Sequence, residues 1–158
     1  MLDVDRHMRR RNDNPVPRQE TKKLLAALHP FPSSFAGEPV FVSGPVTELR
    51  FPYECGGGQT RSCGIQFFEV MAFRWLAEGH SKLWHFEAGV ESLVEVENSL
   101  WLSELTTGQP ILCRHPRGIR HFLVYVGDDG AYEVAAKSYK ILPNELIDDD
   151  RLRLGDST

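Results

Sequence analysis

The chain has 158 residues, of which 41% are hydrophobic, and its formal net charge is -4. This length and composition predict one domain with a full core and leave little room for a second one. The charge is uneven, because residues 1–23 hold 7 Lys/Arg against 4 Asp/Glu and residues 24–158 hold 11 against 18. Such an acidic body argues against a nucleic-acid channel, since phosphate binding depends on clustered cations.

The first 17 residues are polar and charged and end with Pro15 and Pro17, which predicts a flexible N-terminal arm. The basic run Arg9 to Arg11 within this arm is interpreted as part of a solvated terminus. It is not assigned a nucleic-acid or membrane-binding role.

The sequence lacks a membrane-length apolar run and the apolar centre of a secretory signal near its start. Its 3 cysteines are an odd number, which does not favour a disulfide framework. We therefore expect a cytoplasmic protein with reduced thiols and no membrane association.

Residues 18–29 are strong helix formers, and Leu24, Leu25 and Leu28 recur at helical spacing before Pro30. This pattern predicts a short N-terminal amphipathic helix that covers one edge or end of a sheet.

Several segments after this helix resemble strands. Residues 39–43 and 46–51 are rich in β-forming residues, and residues 65–76 form the longest apolar run. The long run predicts a central strand buried on both faces, or one that bends as in a barrel, with a helix as the alternative. Shorter strands are predicted at residues 83–86 and 92–96.

The clearest element is a β-hairpin in residues 119–142 with a reversal at residues 127–130. Phe122, Val124 and Val126 alternate with other residues along its first strand, so we expect them to share a buried face. Residues 128–130 are expected to form an exposed turn, because Asp and Gly suit positive φ.

A short helix is predicted after Asn98-Ser99, where Ser99 is suited to cap its first turn. The order of elements lacks regular βαβ alternation. The predicted fold is therefore α+β and mainly β, with an antiparallel bent sheet or partial barrel, the N-terminal amphipathic helix and one short helix. Residues 18–143 form the predicted globular domain, and residues 144–158 form a mobile acidic tail.

The loop from Cys55 to Cys63 has three interpretations. Its sulfurs could join Cys113 and His115 in a metal site, but seven intervening residues do not preorganise one, so we expect no metal and no cofactor. A disulfide within the loop requires an oxidising compartment. The run Gly56, Gly57 and Gly58 could form a backbone nest for an anion, or simply the flexible tip of a hairpin.

Positive charge in the main body is concentrated after residue 112. The cluster contains Arg114, His115, Arg117, Arg120 and His121. Its arginines are candidates for gripping a carboxylate or phosphate, or for pairing with the acidic segment 87–104. Cys113 with His115 or His121 also provides the residue types for a thiolate nucleophile and its base.

Residues 83–113 contain no Lys or Arg, and carboxylates accumulate there around aromatic side chains. Such a surface could receive a basic protein, or the aromatics could face the core with the glutamates on the solvated side. The candidate partner-binding residues are Trp84, Glu87, Glu91, Glu95, Glu97 and Trp101.

The functional hypothesis that these patterns favour is a non-catalytic protein-interaction module. It would bind a protein partner or a second copy of itself through a sheet edge, the acidic surface, or both, as an immunity-type or antitoxin-type inhibitor does. A small-ligand-binding β-barrel is the alternative, followed by an enzyme that uses Cys113 and the nearby histidines.

Overall fold

The computed structural model describes residues 19–28, 37–107 and 118–146. The strands in these ranges are β1 (Thr21–Ala27), β2 (Val40–Val42), β3 (Thr47–Cys55), β4 (Gln59–Phe68), β5 (Ala72–Ala77), β6 (Ser92–Glu97), β7 (Arg120–Val126), β8 (Gly130–Ala136) and β9 (Ser138–Leu146). The helices are α1 (Leu83–Phe86) and α2 (Leu100–Thr106), and a 3-10 turn covers Glu78–His80. The predicted arm, with Arg9 to Arg11, and residues 147–158 of the predicted tail lie outside the described residues.

The strands form two antiparallel sheets, a five-stranded one in the order β1-β6-β7-β8-β5 and a four-stranded one in the order β2-β3-β4-β9. Their inner faces share one core, in which Phe51 and Ile65 from the smaller sheet meet Phe122 and Val134 from the larger one. The rings of Phe67 and Phe122, one from each sheet, lie 5.8 Å apart. The prediction of a mainly antiparallel β fold is therefore confirmed, and the sheets pack face to face.

The predicted hairpin is confirmed as β7 and β8, with Phe122 opposite Val134 in the ladder. Phe122, Val124 and Val126 share the buried core face, as expected. The turn differs in one detail, because Asp128 is exposed but Gly130 is buried. Gly130 starts β8 opposite the end of β5, so the neighbouring strand covers it.

The predicted N-terminal helix is wrong, because residues 21–27 form strand β1 and pair antiparallel with β6. A bulge between Leu24 and Ala26 shifts the ladder, so that Leu25 and Leu28 pack on the core while Leu24 is exposed. The same leucine spacing thus fits a bulged strand. Pairing with a distant strand overrides intrinsic helix propensity here.

The prediction of one strand over residues 65–76 is also wrong. β4 ends at Phe68, Glu69 adopts a positive φ of 52°, and β5 begins at Ala72 in the other sheet. Residues 83–86 form helix α1 instead of a strand. The short helix after Ser99 is present as α2, with the Ser99 hydroxyl accepting the N–H of Leu102 at 3.1 Å.

The helices in the described ranges are too short or too polar to cross a membrane. The larger one has 7 residues, far below the roughly 20 that a bilayer requires.

Candidate functional site

The central strands of the five-stranded sheet, β7 and β8, are covered on both faces. The inner face of the sheet contributes to the core between the sheets, and on its outer face Val94, Leu123 and Tyr125 pack with Trp84 and Phe86 from the α1 region. A sheet buried on both sides explains why every residue of β8 is buried. Polar side chains on the outer face are therefore enclosed and need partners.

Glu133 is the central polar residue of this outer face, and its side chain is 0% exposed. Arg74, its neighbour across the β5–β8 ladder, binds it through two bonds of 2.8 Å, from Nε to Oε1 and from Nη2 to Oε2. This bidentate geometry is the strongest form of a carboxylate–guanidinium contact. Arg74 itself remains 41% exposed, so it connects the buried carboxylate to the surface.

Two histidines approach the same carboxylate. The Nε2 atom of His121 lies 2.8 Å from Oε2, and the Nε2 atom of His85 lies 3.5 Å from Oε1. Although Nε2 of His121 lies close to this oxygen, it forms no well-aligned hydrogen bond among the described residues. On the other side of the ring, the Ser99 hydroxyl oxygen lies 2.9 Å from Nδ1 of His121.

These neighbours set the charge of Glu133. Burial alone raises the pKa of the carboxyl, but contacts from His121 and Arg74 and their charges outweigh burial and lower the pKa to about 2. Glu133 is therefore a carboxylate at neutral pH.

The series Ser99, His121 and Glu133 contains the residue types of a hydroxyl nucleophile, a base and an orienting acid. Its geometry does not support that chemistry, because Ser99 and His121 are only 5% and 1% exposed. The Ser99 hydroxyl also caps α2, and the Trp101 ring packs edge-on against His121 at 4.9 Å. The cluster instead stabilises the packing of the helices on the sheet, since buried polar groups that satisfy one another favour a single packing arrangement.

Sequence reasoning missed this cluster. Glu133 alternates with core residues along the strand, so the sequence pattern predicts that its side chain lies on the solvent-exposed face of the hairpin. The signal that was available is on its own face, where its neighbours Ala131 and Ala135 are small and apolar, as is typical of a covered surface. His85 and Ser99 lie too far away in sequence for any local pattern to connect them to Glu133.

An open groove runs between the start of β1 and the two helices, with a volume of about 630 Å³. We call it the Lys22 groove; it is lined by Gln19, Glu20, Lys22, Trp84, Glu87, Ala88 and Leu100. Glu20 accepts the N–H of Leu100 through Oε1 at 2.7 Å, which fixes one wall to the start of α2. Glu87 and Leu100 are exposed at its rim.

Lys22 has an unusual position in this groove. Its Nζ lies 4.0 Å from the centroid of the Trp84 ring and is buried without a hydrogen-bond partner among the described residues. Burial lowers the pKa of Lys22, while the carboxylates of Glu87, Glu133 and Glu20 act in the opposite direction. The face of Trp84 thus already holds a cation.

The candidate partner-binding residues do not form one surface. Trp84 and Glu87 line the Lys22 groove. Trp101 lies over the buried cluster, where its ring faces the Arg74 guanidinium at 4.5 Å. Glu97 is exposed at the end of β6, and Glu91 is partly buried with a positive φ of 56°.

Glu95 points towards the inner side of the sheet, where Arg120 binds it through bonds of 2.7 and 2.5 Å. The hydrogen bond from Arg120, opposed in part by burial, lowers the pKa of Glu95. These two residues therefore engage each other. Of the other members of the basic cluster, His121 enters the buried cluster, and Arg114, His115 and Arg117 lie outside the described residues, as does Cys113.

The glycine-rich loop forms the tip of the β3–β4 hairpin, with Gly56, Gly57 and Gly58 all exposed. The thiol of Cys55 donates to the Gln59 carbonyl at 3.1 Å, whereas Cys63 lies opposite Phe51 further along the ladder. Burial raises the pKa of the Cys63 thiol. Within the described ranges, no group of three or more His, Cys, Asp or Glu side chains is placed to hold a metal.

Comparisons with protein-family models, with curated proteins and with solved structures gave no match for this chain.

Proposed function

We propose that the protein is a non-catalytic interaction module that receives a basic segment of a protein partner in the Lys22 groove. The observation that carries this proposal is the composition of the groove, which combines the aromatic wall of Trp84 and the exposed Leu100 with carboxylates at Glu20 and Glu87. A few residues, among which Trp is enriched, dominate the binding energy of protein interfaces, and rim carboxylates steer a cationic partner.

The Lys22 ammonium supports this choice of partner. Its Nζ lies over the Trp84 ring, and the carboxylates of Glu87, Glu133 and Glu20 favour its positive charge, although burial outweighs them and lowers the pKa of Lys22. A lysine or arginine of the partner would meet Glu87 at the exposed rim of the groove, while Lys22 keeps its place on the Trp84 ring. An inhibitor of the immunity type or antitoxin type, which neutralises a basic toxic enzyme, is one form of such a module.

The alternative of a small-ligand β-barrel has less support. Phe51, Ile65 and Phe122, each 0% exposed, fill the space between the sheets where a barrel ligand would sit. The enzyme alternative also has less support, because His121 is enclosed by Glu133, Ser99 and Trp101.

The proposal is tested by capturing partners from the native cell with three forms of the full chain. These are the wild type, a double variant with Glu20→Gln and Glu87→Gln, and a control, Glu54→Gln, which neutralises an exposed carboxylate on β3. Glutamine keeps the acceptor that Glu20 offers to Leu100, so the fold is preserved.

We expect the wild type and the control to retain a basic protein that the double variant loses. The captured pair should associate more slowly as salt rises, with a smaller change in dissociation. The proposal fails if the double variant retains the same partners as the wild type, or if no basic protein is captured.

A further inference from the structure

Among the described residues, the two sheets end in four edge strands, which differ in how they are protected against pairing. A sheet edge presents unpaired N–H and C=O groups, and natural edges avoid unwanted pairing by being short or by carrying charges, prolines or bulges. The edges here are β1 and β5 in the larger sheet and β2 and β9 in the smaller one.

Three of these edges carry such protection. β1 has the charges of Lys22 and Lys23 and a bulge. β9 contains Pro143 and an irregular register, together with the charges of Lys140 and Glu145. β2 has only 3 residues and follows Pro39.

β5 has none of these features. Its 6 residues pair with β8 in one unbroken register and include no proline. Its single charge, on Arg74, is neutralised by Glu133 through the bidentate pair. Phe73 and Trp75, on the same face of the strand, remain 48% and 50% exposed.

We infer that β5 is an interface at which a second copy of this chain pairs, edge to edge and antiparallel, to continue the five-stranded sheet across a two-fold axis. This surface is separate from the Lys22 groove. An antiparallel two-fold pair aligns each face of β5 with the same face of the other copy. Centred on Arg74, it sets Phe73 of each copy opposite Trp75 of the other, and such aromatic cross-strand pairs stabilise sheets.

Charge favours a second copy as the occupant. With Arg74 neutralised inside each subunit, the β5 strands themselves carry no net charge that opposes their pairing, whereas a strongly charged segment would find no opposite charge on the strand. A second copy also presents a strand that is already ordered, so pairing avoids the entropy loss of a disordered segment. A groove of about 660 Å³ with a mixed lining, which includes Val46, Phe68 and Phe73 as well as Ser43 and Glu69, adjoins the start of β5.

The test is sedimentation of the full chain at increasing concentration, for the wild type, Trp75→Lys and Leu24→Lys. Trp75 and Leu24 are similar in exposure, at 50% and 58%, and lie on opposite edge strands of the larger sheet. Trp75→Lys removes the aromatic pairs and sets two like charges at the interface, so it should raise the dimer dissociation constant about tenfold or more. Leu24→Lys should leave that constant unchanged.

Hydrogen exchange on the wild type provides a second measurement that does not depend on the folding of any variant. Alternate N–H groups of an edge strand point away from its neighbour, so those of β5 should exchange more slowly as concentration rises. Dimers that form with slowed exchange at β5 support the inference. It is overturned by a chain that stays monomeric at high concentration, by equal effects of both substitutions, or by slowed exchange at another edge.

Discussion

Arg74 and Glu133 face each other across the β5–β8 ladder, and this one pair performs two structural tasks. It supplies the counter-ion for a carboxylate that is 0% exposed beneath the helices, and it neutralises the only charge on the exposed edge strand. The buried polar cluster beneath the helices and the net charge of the β5 edge therefore depend on the same two side chains.

Replacing Glu133 with Gln should destabilise the protein. The substitution keeps the shape but leaves Arg74 without its counter-ion, and we expect a loss of about 2–4 kcal/mol in the free energy of unfolding, the lower end reflecting the partial exposure of Arg74. Urea denaturation followed by circular dichroism measures this. The matched control is Glu69→Gln, which breaks the exposed pair with Lys137 and should cost less than about 1 kcal/mol. Equal effects of the two substitutions would contradict the structural role of the buried pair.

The depressed pKa of Glu133 predicts how stability depends on pH. In the unfolded chain this carboxyl titrates near 4.5, whereas in the folded protein it titrates at about 2. As pH falls below 4.5 the unfolded state binds the proton first, so the contribution of Glu133 is complete above pH 4.5 and is lost as pH falls towards 2. The shift corresponds to about 3 kcal/mol.

Denaturant titrations of the wild type and Glu133→Gln at several acidic pH values test this prediction. Glu95, whose pKa Arg120 lowers, acts in the same direction in both proteins, so the difference between the two curves isolates Glu133. The wild type should lose stability more steeply between pH 4.5 and 2. Parallel curves would exclude a depressed pKa at this residue.

The sequence predicted those elements of the fold whose contacting residues lie close together along the chain. The β7–β8 hairpin was readable because its alternation and its turn lie within one stretch of chain. β1 was not, because Lys22 pairs with Val96, a residue 74 positions away, and that pairing outweighs local helix propensity. The apolar run at residues 65–76 concealed a change of sheet at Glu69, since both sheets bury apolar side chains.

The candidate site was less predictable for a related reason. Charges counted along the sequence allowed Glu95 to lie on an acidic surface or the arginines to pair with segment 87–104, and the sheet register brings Glu95 beside Arg120 on the inner face. Trp84 and Glu87 were recognisable as neighbours in sequence, whereas the contribution of Lys22 to the same groove requires the β1–β6 pairing. The pairing register of strands that are distant in sequence decides which charged side chains become neighbours, and this register cannot be derived from composition.

Replacing Val124 with Asp should disrupt the core between the sheets. Val124 is 1% exposed, and its face of β7 packs against the smaller sheet, so an unpaired carboxylate there should cost about 4 kcal/mol or more. Leu24→Asp is the control, because Leu24 is 58% exposed on β1 and should lose less than about 1 kcal/mol. Thermal denaturation followed by circular dichroism distinguishes the two, and a folded, equally stable Val124→Asp protein would show that this core face is wrongly assigned.

Replacing Gly130 with Ala should destabilise the junction of β5 and β8. Gly130 has a φ of 135°, which disfavours a side chain, and a Cβ at this position would overlap the carbonyl oxygen of Leu76 on β5. We expect a loss of about 2 kcal/mol or more in urea denaturation. Gly56→Ala is the control, since a Cβ there meets no atom within 4 Å, and its stability should be unchanged. Because the added Cβ would press against β5, the Gly130→Ala substitution should speed hydrogen exchange, relative to the wild type, more at β5 than at β3. Uniformly faster exchange in both strands would show that the substitution weakens the whole fold and leaves the position of the edge strand unaffected.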